Sequence, residues 1–544
     1  MATQVNPSKS QHLPHTFGLW SGISIGWLTI NSFGGISFIL FISLSAGGLP
    51  TLVYGYTASS LCVMCIMLVF AQCSARFATA GGAYHYAVFL TPEKYRRQVA
   101  YPLGWLNYAG WVLTHAACCA VTATLFLALI NLCDADFDVT VRWRLFVAYM
   151  IVAMGCWLVN LFGLRGIPTL ENIGCEYKGW ATVIGFIAFS VLLLVKAPKA
   201  PASFVFVETS NRTGFVSDEN ALVVQLANQV VTRYSSTGFA VLLGLMNSFS
   251  TLMGLDGPAH LAEEIPQPKR FLPRIMIIVI LSQFAIGLVW ILVLGFSVKD
   301  LDAIVATSTG VPVLEIIRLA IGSRAAAIVF CCILLVNMVA SSLGSAITMS
   351  RQGYAFARDN GLFWNDKLVH LSPSTNLPVW SINLSCVIVF AIGLIYLFSL
   401  TAFNAIIGAQ AVCQLISFGF PALVLLLTKR SMLHASPRWD FGVWSNPVYI
   451  VAILYSVLVI IVAFIPQTHP VTADTMNYTV LIMTCLAVAM IAGWLFEGRD
   501  KFSPLRNVDI DSDVQVIEGL EEDVEQCDQD KRQKAHVIAH DQTA

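Results

Sequence analysis

The chain is short of charge. Only 12% of its 544 residues are Asp, Glu, Lys or Arg, against about 25% in a typical soluble domain. That shortage excludes an ordinary water-soluble protein, and a net charge of −1 gives no electrostatic reason for a nucleic-acid partner. Nucleotide chemistry is missing too. No G-x4-G-K-S/T phosphate loop occurs and no nucleophile–base constellation stands apart, so nothing points to an enzyme or an ATP-driven pump. The first sixteen residues are polar, without the apolar core or small-residue cleavage site of a removable signal peptide. The 14 cysteines lie mostly in apolar runs, as at Cys62, Cys65, Cys118, Cys119, Cys331 and Cys332. Their spacing is neither a disulfide framework nor a metal site, and they read as small buried hydrophobes. No cofactor is implied.

What the chain has is apolar sequence. Hydrophobic residues make up 57% of it and the mean hydropathy is +0.72. They gather in runs long enough, as helices, to cross a bilayer core of about 30 Å. The runs predict an all-α integral membrane protein with about twelve spans, at 17–45, 51–75, 101–131, 143–162, 171–196, 238–256, 274–297, 324–349, 379–399, 401–427, 446–466 and 475–497. Lys and Arg favour one set of alternate loops, roughly fourteen against nine, which puts both termini in the cytoplasm and makes the first span its own insertion signal. Asn211 in Asn211-Arg212-Thr213 then becomes an outward-facing glycosylation sequon. Residues 1–16 form a cytoplasmic tail, and 498–544, rich in Asp, Glu, Gln and Lys, a second and disordered one.

Two spans are interrupted. In "LTINSFGGISFIL" the pairs Asn31-Ser32 and Gly34-Gly35 fall near the middle of the first span; each Gly weakens a helix by about 1 kcal/mol relative to Ala. The sixth span breaks around Gly254-Leu255-Asp256-Gly257-Pro258, where Pro258 suits the first turn of a new helix and Asp256 is a good N-cap for it. Paired broken helices are the best sequence pointer to a transporter's mid-membrane site, with helix ends offering N–H groups and carbonyls to cargo. Asp256 is the leading ionisable candidate inside the membrane, as an ammonium partner or proton carrier. His260, Glu263 and Glu264 read as a solvated helix end. Trp111, with His115 one turn on and Tyr108 one turn back, offers a cation–π face or plain packing. Asn337, Asn404 and Gln410 either line a pathway or bond helix to helix.

Four stretches carry a resemblance: "FATAGGAYHYA" (77–87), "GLDGPAHLAEEIPQPKRFLP" (254–273), "SRQGYAFARDNG" (350–361) and "HPVTADTMNY" (469–478). They resemble the amino acid–polyamine–organocation superfamily, within it the fungal amino-acid/choline permease branch that includes GABA and choline permeases, over 17–499. The resemblance implies the leucine-transporter type of fold, a five-plus-five inverted repeat with two extra C-terminal helices. Its parts would be 17–196, 197–237 as an outer loop, 238–427, and 428–497. It also implies a substrate cradle at Asn31, Ser32, Phe33, Gly34 and Gly35, an unwound stretch at Ser250, Thr251, Leu252, Met253 and Gly254, and a coupling or gating acid at Asp256. Lys178, in an N-x5-K pattern with Asn172, matches a span-five lysine that replaces a structural sodium in proton-driven relatives. Residues 216–236 depart from the family as an insertion of about twenty residues, or a retained intron; a long loop costs little in closure entropy.

The expectation is a secondary permease in the plasma membrane for an amino acid or small amine such as choline or GABA, with a proton and the lipid bilayer as its other partners. Two alternatives stand beside it: a transporter specific for choline or quaternary amines, and a nutrient sensor that binds without transporting.

Overall fold

The computed structural model describes residues 19–162, 167–210, 237–298, 303–304, 307–373, 377–398, 402–431, 433, 439–467, 471–472 and 476–504. The chain divides into two units, Met1–Pro504 and Leu505–Ala544, and every described helix belongs to the first. The expectations at Asn211 and 216–236 lie outside the described residues.

The described residues are helical, with no strand among them. In chain order they form α1 (Leu19–Thr29), α2 (Ser32–Ser45), α3 (Gly48–Arg76), α4 (Ala83–Leu90), α5 (Glu93–Cys133), α6 (Arg142–Phe162), α7 (Ile167–Lys196) and α8 (Ala202–Phe206). There follow α9 (Thr237–Ser250), α10 (Pro268–Phe296), α11 (Pro312–Ile321), α12 (Arg324–Arg358), α13 (Asn365–Leu368), α14 (Val379–Leu394), α15 (Ala402–Leu427), α16 (Ser445–Phe464) and α17 (Thr479–Gly493). Ten helical stretches among the described residues are long and apolar enough to cross a membrane. Two shorter apolar helices, Thr182–Lys196 and Gly238–Ser250, fall where the fifth and sixth spans were expected.

The side-chain distribution is that of a protein dissolved in lipid. Ile151 and Leu158 on α6, Leu454 and Ile461 on α16, and Leu481 and Val488 on α17 are exposed, while Asn107, Asn337, Gln283 and Gln414 are buried. A helix satisfies its own backbone, so an apolar exterior costs nothing in lipid, and polar side chains turn inward to find partners. At the centre α5 packs along α12, and α3 along α10. In the α5–α6 turn, the hydroxyl and amide of Thr140 donate to Asp138 and hold its carboxyl below the usual range.

Two features went unseen in the sequence. One is α4, a helix of eight residues, all buried, in what reads as a loop between spans. The other is the docking of the last helix's end. Arg97 donates to the Gly498 carbonyl at 2.8 Å, Asn360 to the Lys501 carbonyl at 3.2 Å, and the Ser503 amide to the Asp359 carbonyl at 3.1 Å. Phe502 is buried against the rings of Tyr101 and Phe356.

Candidate functional site

The first span is broken, at a narrower place than the glycines suggest. Only Ile30 and Asn31 separate α1 from α2, and Gly34 and Gly35 lie in the first turn of α2 rather than in the interruption. Broken backbone inside a membrane needs other partners, and the chain supplies them from α10. The Gln283 amide fills the gap, its Nε2 donating to the Ile30 carbonyl at 2.8 Å and its Oε1 accepting from the Ser32 amide at 3.0 Å. Asn31 caps α2 by accepting from the Gly34 amide at 3.1 Å. Its Nδ2 donates to Ser341 Oγ at 3.0 Å and to Asn337 Oδ1, and Asn337 in turn donates to Thr182 Oγ1 on α7. Tyr56 donates to Ser32 Oγ and to the Gln283 carbonyl.

The sixth span is broken as expected. α9 ends at Ser250, residues 251–256 are not helical, and a 3-10 helix runs over Gly257–Glu264. The two breaks press on each other. Gly254 has φ +83°, and a Cβ there would lie 3.0 Å from the Thr29 carbonyl oxygen, so both conformation and space require glycine. A Cβ on Gly35 would sit 3.4 Å from Thr251 Cα. Ser32, Phe33, Thr251, Leu252 and Met253 are all buried.

Asp256 corrects the capping expectation. It stands before the 3-10 helix but makes no side-chain cap bond; its carboxylate has stronger partners across the bundle. Asn107 donates to Oδ2 at 2.9 Å, Trp111 Nε1 to Oδ1 at 3.2 Å, and His260 Nε2 lies 3.0 Å from Oδ2. His260 is therefore no solvated helix end: it is buried, covered by the Gly82 turn before α4. Its Nδ1 lies 2.8 Å from the Ala80 carbonyl. A carbonyl only accepts, so Nδ1 carries a hydrogen. The Nε2–Oδ2 contact then needs one more proton, on either the imidazole or the carboxyl. A proton shared between Asp256 and His260 would close the contact; without it a bare nitrogen would face a bare carboxylate.

A second His–Asp pair lies nearby and works differently. His85 Nε2 is 3.0 Å from Asp359 Oδ2, which also accepts from Tyr84 at 2.6 Å. Its Nδ1 faces the Thr79 hydroxyl at 2.5 Å. A hydroxyl can donate, so a neutral imidazole satisfies both partners and no extra proton is required. The turn 79–82 thus runs between one pair that needs a proton and one that does not.

The remaining expected residues divide. Trp111 is wholly buried, its N–H spent on Asp256 and its ring edge-on to His260, so it presents no open face. Phe33 belongs to an aromatic cluster with Phe186, Trp290 and Phe330, its centroid 4.9 Å from that of Trp290. His115 bonds Ser345, and Gln410 bonds Thr114. Lys178 lies on α7, but its side chain and those of Glu263, Glu264 and Asn404 fall outside the described residues. Sequence reasoning missed Gln283, Asn107, Ser341 and the His85–Asp359 pair. The only signal for Gln283 and Asn107 was a lone amide in an apolar run.

Several known proteins resemble the chain over most of its length. The family model described as amino acid permease matches residues 18–487. A choline transporter of Saccharomyces cerevisiae is 30% identical over 502 residues, covering 91% of this chain and 83% of that one. An amino-acid permease of Arabidopsis thaliana is 27% identical, covering 92% and 95%. A polyamine transporter of Saccharomyces cerevisiae is also 27% identical, covering 85% and 72%. Among solved structures, a manganese transporter mutant from Eremococcus coleocola superposes with a TM-score of 0.51 at 16% identity, over 90% of this chain and 96% of that one, a likeness of fold alone. With most of its length matched, from the first broken helix into α17, the chain belongs to the amino acid permease family.

Proposed function

We propose that the protein is a secondary permease that moves a small amino acid or amine across the membrane together with a proton. The observation that carries this reading is the Asp256–His260 contact, which closes only with a proton and sits at the break in the sixth span. Twelve spans, the first ten as an inverted five-plus-five repeat, would place both breaks at the repeat interface, and both termini would face the cytoplasm of a plasma-membrane protein. Cargo would lie between 31–35 and 250–254. Those stretches are in contact and buried, so loading requires them to part, and alternating access follows. Tyr86 on α4 is also within electrostatic reach of Asp256. Lys178, one helical turn before Thr182 on α7, would be a second coupling group.

A quaternary-amine specificity is favoured by two details. The Ser32 and Gly34 amides at the start of α2 are already bonded, which leaves less for a substrate carboxylate. Phe33, Phe186, Trp290 and Phe330 gather beside the break, and aromatic faces suit a cation without N–H donors. The relatives' names span both substrate classes.

The test is uptake into proteoliposomes of choline, GABA, a polyamine and an amino-acid panel, at two pH values. One compound should accumulate against its gradient only with an inward proton gradient. Asp256→Asn keeps a donor toward His260 but removes the titratable proton, so the variant should insert and fold while losing proton-driven accumulation. Full accumulation by that variant would reject Asp256 as the carrier, and saturable binding without uptake of any compound would favour a sensor.

A further inference from the structure

Away from the two breaks, three soft ligands meet inside the bundle. His115 and Cys119 lie one turn apart on α5 and Cys156 comes from α6; all three are buried, and their ligand atoms lie within 4.8 Å of one another. From these we infer that His115, Cys119 and Cys156 form a binding site for a soft d10 cation, with zinc or cadmium as the matching dication.

Three features support it. The first is distance. Bonds of about 2.3 Å to sulfur and 2.0–2.1 Å to nitrogen at a tetrahedral ion set the two ligands about 3.6 Å apart; Cys119 Sγ lies 3.6 Å from His115 Nε2 and, at 3.9 Å from Nδ1, stands beside the ring, so a turn of the Cys119 side chain brings it to the ion. The second is the tautomer. Ser345 Oγ donates to the Ser342 carbonyl at 2.9 Å, so at its 3.1 Å contact with His115 Nδ1 it accepts. Nδ1 therefore carries the hydrogen, held by an outer-shell partner as in a metal-bound histidine, and the Nε2 lone pair is left free for an ion. The third is charge. Two thiolates, a neutral imidazole and a dication sum to zero, as a membrane interior requires. Cys386 on α14, also buried, is within electrostatic range of both thiols and is available as a further ligand.

Binding is a simple exchange. Two S–H bonds break, two metal–sulfur bonds form, both protons leave to solvent, and no oxidation state changes. An occupied site would join α5 to α6 one turn from Trp111, the residue that holds Asp256.

The test needs no transport assay, so its outcome is separable from the proposed function. Protein made in medium supplemented with zinc or cadmium, and purified without a polyhistidine tag, is assayed for metal by mass spectrometry. About one ion per chain is expected, with a cadmium–thiolate absorption band in the ultraviolet. The Cys119→Ser/Cys156→Ser double variant should lose at least ten-fold in metal, whereas Cys331→Ser/Cys413→Ser should retain it. Thermal midpoints measured without metal establish that both variants fold, and only the wild type and the control should gain stability from added cadmium. An unchanged metal content in the first variant, an equal loss in the control, or a wild-type protein that takes up no metal would overturn the site.

Discussion

Gln283 shows how one side chain can make an interrupted helix tolerable. Its amide replaces both halves of a missing backbone turn, one donor and one acceptor, in a setting where water is scarce. Gln283→Leu would keep the bulk and leave the Ile30 carbonyl and Ser32 amide unpaired, at about 1–3 kcal/mol for each group. The expected result is a lower thermal midpoint in detergent and weaker uptake, and an unchanged midpoint would show that the break does not depend on the amide. Residues of this kind are the least legible in sequence. Asp256 announces itself by charge in an apolar run, but the partners that decide its chemistry, Asn107 and Trp111, lie on another helix. His260 was at the right spacing from Asp256; what hid its burial was the turn before the unseen α4, which covers it.

At the scale of elements, ten of the expected spans were legible because lipid imposes a length and a composition on each of them. The breaks were legible too, since Gly254 and the Asp256-Gly257-Pro258 run have no ordinary place within a span. α4 was not, because eight residues buried on every side show no periodicity to read. Yet α4 borders the site: its His85 and Tyr84 are tied to Asp359 at the end of α12, and the turn before it covers His260. Asp359→Asn keeps the shape and removes the charge from two buried hydrogen bonds, an expected loss of about 1–3 kcal/mol. Ala80→Cys, buried in the wild-type background, should then become reactive toward a maleimide once Asp359→Asn is added. Equal labelling with and without the second substitution would mean that the pair does not hold the turn in place.

For the whole molecule, the exposed apolar residues of α6, α16 and α17 leave a bilayer as the fitting solvent. Alkaline carbonate should therefore leave the protein in the membrane pellet, with detergent required to extract it; release by carbonate would contradict the fold. The same whole-molecule view gives a mechanical meaning to the chain's docked end. Phe502 is wedged between Tyr101 and Phe356, and the Ser503 amide holds the backbone of Asp359, whose side chain fastens α4. The Ser503 amide and the fastening of α4 thus meet on one residue. A displacement of Phe502 or Ser503 would reach Asp359 before it reached His260.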